Sequence, residues 1–160
     1  MPKKSSAKPK DEDFRGDIQQ KKGVTMSMID PSEWNLEDSQ EPYALKDGSE
    51  VRLQVLDVSR STRENGGVYY TTRFGVVDEP YSKDITDWFD EPSRSLMDAK
   101  QLNAAKRKMM NFLDCFSIDR TRPTDPTEDW VGAEGWTILS LSTSARYGEQ
   151  NRISKFIAPR

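Results

Sequence analysis

Eight side chains beyond residue 50 combine flat aromatic rings with arginine: Arg60, Arg63, Tyr69, Arg73, Trp88, Arg146, Tyr147 and Arg152. A guanidinium is planar and permanently charged. It stacks on a ring and pairs bidentately with phosphate. Aromatic rings in turn accept stacked bases, at about 1–3 kcal/mol per base. These types together support non-covalent holding of a single nucleic-acid strand with little preference among bases. Of the sixteen basic residues after position 50, eleven are Arg, so the set is enriched in the cation that stacks. Singly, each residue has an ordinary reading as well. Trp88 suits a core position as readily as a platform, and Tyr147 suits the packing of a hairpin turn. The clustering is the signal.

Other chemistries are poorly supplied. The chain has no histidine and one cysteine, Cys115, which excludes a His/Cys zinc site, histidine catalysis and an internal disulfide. A lone thiol suits a reducing cytosol. Cys115 lies within Phe112-Leu113-Asp114-Cys115-Phe116 and reads as a small buried hydrophobe, with no basic partner nearby to favour a thiolate. Asp84, Asp87, Asp90 and Glu91 suggest Mg²⁺-assisted phosphoryl chemistry as an alternative. Their spacing matches no metal motif, no lysine accompanies them as a general base, and the phosphate-loop pattern is absent. The expectation is a binding protein, with no enzyme activity and no cofactor.

The elements that must position these residues are legible from period and turn chemistry. A strand over 51–58 has apolar side chains at 51, 53 and 55 and then at 56 and 58, a parity change that predicts a β-bulge. A loop over 59–67 ends in Asn65-Gly66-Gly67, residues that tolerate positive φ. Strand two, over 68–77, alternates cleanly. Val68, Tyr70, Thr72, Phe74 and Val76 share one face, and Tyr69, Thr71 and Arg73 share the other. Because Tyr70 sides with the core, Tyr69 falls on the surface. Strand three lies near 84–89, and the pattern leaves open which of Trp88 and Phe89 points inward.

Ser95 with Asp98 resembles a capping box, predicting a helix start there. Leu102, Ala105, Met109, Phe112, Leu113 and Phe116 then recur at helical spacing, leaving Lys100, Lys106, Arg107 and Lys108 to a solvated face. A loop over 121–129 leads to strand four at 136–143, and the turn 147–151 leads to strand five at 152–157. The order β-β-β-α-β-β predicts a mainly β domain with one helix, a five-stranded OB-type Greek-key barrel. A parallel α/β sheet would need a helix between successive strands, and the Asn-Gly-Gly loop is too short for one. In an OB fold the ligand crosses strands two and three, between the loops that join strands one to two and four to five. Those are the places that hold the eight residues above.

Three stretches resemble small OB-fold single-stranded-DNA-binding proteins encoded by bacteriophages. They are Gly66-Gly67-Val68-Tyr69-Tyr70-Thr71-Thr72-Arg73-Phe74, the Gly135-Trp136 pair, and Tyr147-Gly148-Glu149-Gln150-Asn151-Arg152-Ile153-Ser154-Lys155-Phe156. The resemblance spans roughly residues 45–160. It implies single-stranded DNA as partner, a role in phage DNA replication or recombination, contact with proteins of those processes, and the cytoplasm of an infected bacterial host. Several such proteins end in an acidic tail that recruits polymerase and helicase, whereas this chain ends Lys155-Phe156-Ile157-Ala158-Pro159-Arg160.

Charge is segregated along the chain. Residues 1–22 hold seven basic against four acidic groups, residues 23–50 one against seven, and the remainder sixteen of each. The expected organisation is a disordered basic tail over 1–27, an acidic extension over 28–44 and an OB domain over 45–160. The tail reads as a phosphate-binding arm or a solubilising terminus. The extension reads as a segment that packs Trp34 or Tyr43 on the barrel, or as a mimic of a nucleic-acid strand. No apolar run approaches the roughly 18 residues of a membrane span, and no secretory signal is visible. The expectation is a soluble protein without a membrane partner. A virion or protein-interaction scaffold built on the same barrel is the competing class.

Overall fold

A computed structural model describes residues 27–159. The basic tail over 1–27 therefore lies outside the described residues except for Ser27. The chain divides into two units between Gln40 and Glu41. In the first, two 3-10 turns, Pro31–Trp34 and Leu36–Asp38, follow one another. Asp30 caps the first by accepting the Ser32 N–H at 3.1 Å, and Pro31 supplies the fixed φ that suits a first helical position. Asn35 joins the turns in the left-handed region, at φ 54°, which Asn adopts more readily than most residues. Trp34 is 55% exposed here and its acidic neighbours face water. Tyr43 belongs to the second unit. Its main chain bridges Ser82 in parallel, its carbonyl accepts the Lys83 N–H at 2.8 Å, and its hydroxyl donates to Glu79.

The second unit contains β1 (Glu50–Thr62), β2 (Val68–Val76), β3 (Ile85–Asp90), α1 (Ala99–Cys115), α2 (Pro126–Asp129), β4 (Glu134–Ser144) and β5 (Gly148–Phe156). The five strands form one antiparallel sheet in the order β3-β2-β1-β4-β5. β1 serves both halves. Its first residues pair with β4 and its remainder with β2. Cα atoms of the two edge strands, β3 and β5, come within 8 Å of each other, so the sheet curls round a common interior. No ladder joins those edges among the described residues.

The bulge falls where the parity change places it. Val55 pairs with Phe74 and Asp57 with Arg73, leaving Leu56 as the extra residue. Val58 returns to the interior. Leu56 does not, contrary to its expected parity, because the bulge itself consumes that residue. It lies half-buried over Gly75, where a Cβ would stand 3.1 Å from Leu56 Cδ1. On β2, Tyr70, Thr72, Phe74 and Val76 are buried, as the alternation predicts.

Helix α1 begins three residues later than the expected start. Asp98, not Ser95, is its cap, and Gln101 reciprocates. Gln101 reaches back to the cap N–H at 3.1 Å, a span suited to its longer side chain, whereas Ser95 bonds only Ser93. The helix turns Phe112 and Cys115 inward, with Phe116 just beyond its end, while Met109 and Leu113 are partly buried against the same core. The 121–129 loop contains the short α2, whose exit carries Trp130 into the interior. Gly135 is required by close packing. A Cβ there would lie 2.8 Å from the Cys115 carbonyl oxygen. Cys115 is buried, its thiol pushed up by burial and donating to the Trp136 carbonyl at 3.1 Å, in keeping with a packing role. Strand β5 starts at Gly148, so Glu149, Gln150 and Asn151, expected in the turn, are strand residues, and Ala145 to Tyr147 make the turn.

Thr72 is fully buried in β2, and its hydroxyl has no partner among the described residues. A buried hydroxyl without a hydrogen bond costs about 1–3 kcal/mol. Thr72→Val keeps the branched shape and removes that cost. Thermal and urea unfolding should show a gain of about 1 kcal/mol, and a loss of stability would contradict the burial described.

Candidate nucleic-acid interface

Register on the outward face of β2 and β3 is fixed by the ladder between them. Tyr69 stands opposite Asp90, Thr71 opposite Trp88, and Arg73 opposite Thr86. Tyr69 and Trp88 are thus diagonal neighbours on one face, roughly 7–8 Å apart by ordinary sheet geometry. Phe89 is 1% exposed and Trp88 is 42% exposed, which settles the orientation that periodicity left open. Phe89 fills the core, and Trp88 faces out beside Tyr69.

Among the described residues, three aromatic rings carry an arginine. The Arg63 guanidinium sits 4.4 Å from the Tyr69 ring centroid and donates to Asp90 at 2.8 Å, which holds it above its ordinary pKa. Arg152 on β5 reaches the Trp88 ring at 5.6 Å, across the gap between the edge strands. Arg146 lies 5.2 Å from the Tyr147 ring at the β4–β5 turn, where Tyr147 is 59% exposed and its N–H is held by Ser144 at 2.9 Å. Arg73 is differently placed. It lies between Asp57 and Asp84 and hydrogen-bonds to both, Asp57 contributing most to raising its pKa. Its Nε and Nη2 meet Asp57 and its Nη1 meets Asp84, which leaves one N–H on each of Nη1 and Nη2 without a carboxylate partner. Arg60 departs from the expected loop, because β1 runs on to Thr62. Its register partner is the inward-facing Tyr70, so it lies off the parity of the outer face although it is exposed.

The four carboxylates considered for metal chemistry go to four partners. Asp84 is held by Arg73, Asp87 by Lys108 at 2.8 Å, Asp90 by Arg63 at 2.8 Å, and Glu91 by the Tyr70 hydroxyl at 2.9 Å. Among the described residues no three His, Cys, Asp or Glu side chains group to hold a metal ion. The face therefore offers stacking surfaces and paired charge.

Lys108, expected on the solvated face of α1, has a positioning role. Its Nζ donates to Asp87 at 2.8 Å and to the Trp88 carbonyl at 2.7 Å, and lies 4.9 Å from the Phe89 ring centroid. The Trp88 N–H donates to the same Asp87 carboxylate at 2.8 Å. Both main-chain groups of Trp88 are therefore taken by side chains, which fixes the residue and blunts an open strand edge. A sequence signal for this exists. Position 108 follows Ala105 by three and precedes Phe112 by four, at the border of the apolar stripe. Lys108→Met should destabilise the fold by about 1–3 kcal/mol by leaving the Trp88 carbonyl without this donor and Asp87 with only the Trp88 N–H. In urea unfolding, adding Asp87→Asn should cost less than the sum of the two single changes. Strict additivity would show the contacts to be independent.

No protein-family model matches this chain, and no curated protein matches it in sequence, so its function is argued from geometry.

Proposed function

We propose that residues 45–160 form an OB-type barrel that binds single-stranded DNA with little sequence preference, in replication or recombination of phage DNA. The strand order, the approach of β3 to β5 and the single main helix between the third and fourth strands support the barrel reading. One observation carries the binding reading. Tyr69 and Trp88 share the outward face of β2 and β3, and each has a guanidinium on its ring. Bases stack on such rings while the arginines meet the backbone between them. The loops joining β1 to β2 and β4 to β5 add Arg63, Arg146 and Tyr147, in the positions OB folds use for their ligands. Because residues 51–160 are electrically neutral and much of the face is already ion-paired, affinity should be moderate and stacking should dominate it.

Fluorescence titration of labelled oligo-dT and of the matching duplex, at low and moderate salt, tests this. The single strand should bind at micromolar or tighter affinity, more tightly than duplex, and more weakly as salt rises. Tyr69→Ala or Trp88→Ala should weaken binding by about 1–3 kcal/mol, roughly five- to 150-fold. No binding of either form at low salt would overturn the proposal and favour the scaffold reading, for which Trp136, 45% exposed beside the Arg52–Glu134 ion pair, is the natural contact.

A further inference from the structure

A cleft of about 420 Å³ opens beside Trp88, between the β1–β2 turn and the first half of α1. Trp88, Leu96, Met97 and Ala104 give it apolar walls, and Asn65 and Gln101 give it carboxamides. The orientation of both amides is set by main-chain groups. The Gly67 N–H donates to Asn65 Oδ1 at 2.9 Å, and the Asp98 N–H donates to Gln101 Oε1 at 3.1 Å. An N–H requires an oxygen partner, so the NH₂ ends are turned away from these bonds. Both residues are exposed, and among the described residues neither NH₂ group donates to a protein acceptor, so both are open to a ligand. The charged groups of the lining cancel, Arg63 and Lys108 against Asp90 and Glu91, and each is already hydrogen-bonded. A neutral flat ring bearing carbonyl oxygens fits such walls, and a phosphate does not.

Resting on the single-strand reading above, we propose that this cleft receives one base of the bound strand. Asn65 and Gln101 donate to its exocyclic carbonyl oxygens while the apolar walls cover its faces. The size suits one nucleoside, since small-molecule sites begin at about 300 Å³. Thymine, cytosine and guanine carry a carbonyl, and adenine carries none. A strand otherwise held without base preference thus acquires a preference against adenine at one position in each register.

The experiment compares oligo-dT with oligo-dA on the full-length chain at one salt concentration, for the unaltered protein and two variants. Asn65→Asp with Gln101→Glu keeps both oxygen acceptors, and with them the turn and the helix cap, but removes the donors. Its added charge repels both oligonucleotides alike, and the self-stacking of oligo-dA is the same throughout, so the ratio of affinities is the readout. That ratio should fall about tenfold in the double variant. Ala104→Phe, at an exposed helix position, fills the cleft and should weaken oligo-dT binding fivefold or more with unchanged circular dichroism. Tight oligo-dT binding with the same ratio in the unaltered protein and the double variant, and no loss in Ala104→Phe, would overturn the cleft proposal alone. Failure of the unaltered protein to bind either oligonucleotide would overturn the single-strand reading beneath it.

Discussion

Phe112 has no exposed surface and stands among five aromatic rings: Phe89 at 4.5 Å, Phe116 at 4.8 Å, Trp130 at 4.9 Å, Phe156 at 5.8 Å and Phe74 at 6.1 Å between centroids. Those rings come from β2, β3, β5, the end of α1 and the exit of α2. A sheet that curls must fill the space it encloses, and one helix delivers the ring that does so. Tilted and edge-to-face contacts of this kind add to the stabilisation from burial alone. Everything outward follows from this inward demand. With Phe89 claimed by the cluster, the period of two turns Trp88 to the other face, and with Tyr70 and Phe74 claimed, it turns out Tyr69 and Arg73.

The bulge at Leu56 couples core and surface in a second way. Without the extra residue, Leu56 would stand opposite Arg73. With it, Asp57 takes that place and holds the guanidinium. One inserted residue lets the strand bend and also assigns the arginine a partner. Trp88 is likewise governed from behind, because its main chain is held by Lys108 of the helix that carries Phe112.

Much of this was legible in the chain. Strand β2 is legible because burial alternates from Tyr69 to Val76, with only Val68 at its start half-buried, and the helix face because Leu102, Ala105, Met109 and Phe112 repeat at its period. The helix start was misplaced because two overlapping box-like patterns compete and only Gln101 has the reach to close one. Trp130 was missed, being one aromatic in a polar loop, where no periodicity announces burial. At the candidate site the aromatic residues and arginines were named from sequence, but their partners were not. Arg63 and Asp90 are 27 positions apart, and Arg73 meets Asp57 only through a register that the bulge shifts. The start of β5 also eluded the pattern, since Gly148 to Asn151 read as turn residues while the ladder carries them to Ser144 and Leu141.

The doubly held Arg73 has a consequence for the inventory of ions. When a free cation binds a phosphate, counterions leave the nucleic acid and nothing replaces them. On the proposed reading, a phosphate that took the place of Asp57 or Asp84 on this guanidinium would free a carboxylate to gather a cation from solution. Part of what a bound strand releases would thereby be recaptured by the protein. On the proposed reading, the number of arginine–phosphate contacts exceeds the number that salt dependence alone would count. A carboxylate would also stay beside each phosphate so exchanged as a standing competitor, ready to take its arginine back when the strand moved on.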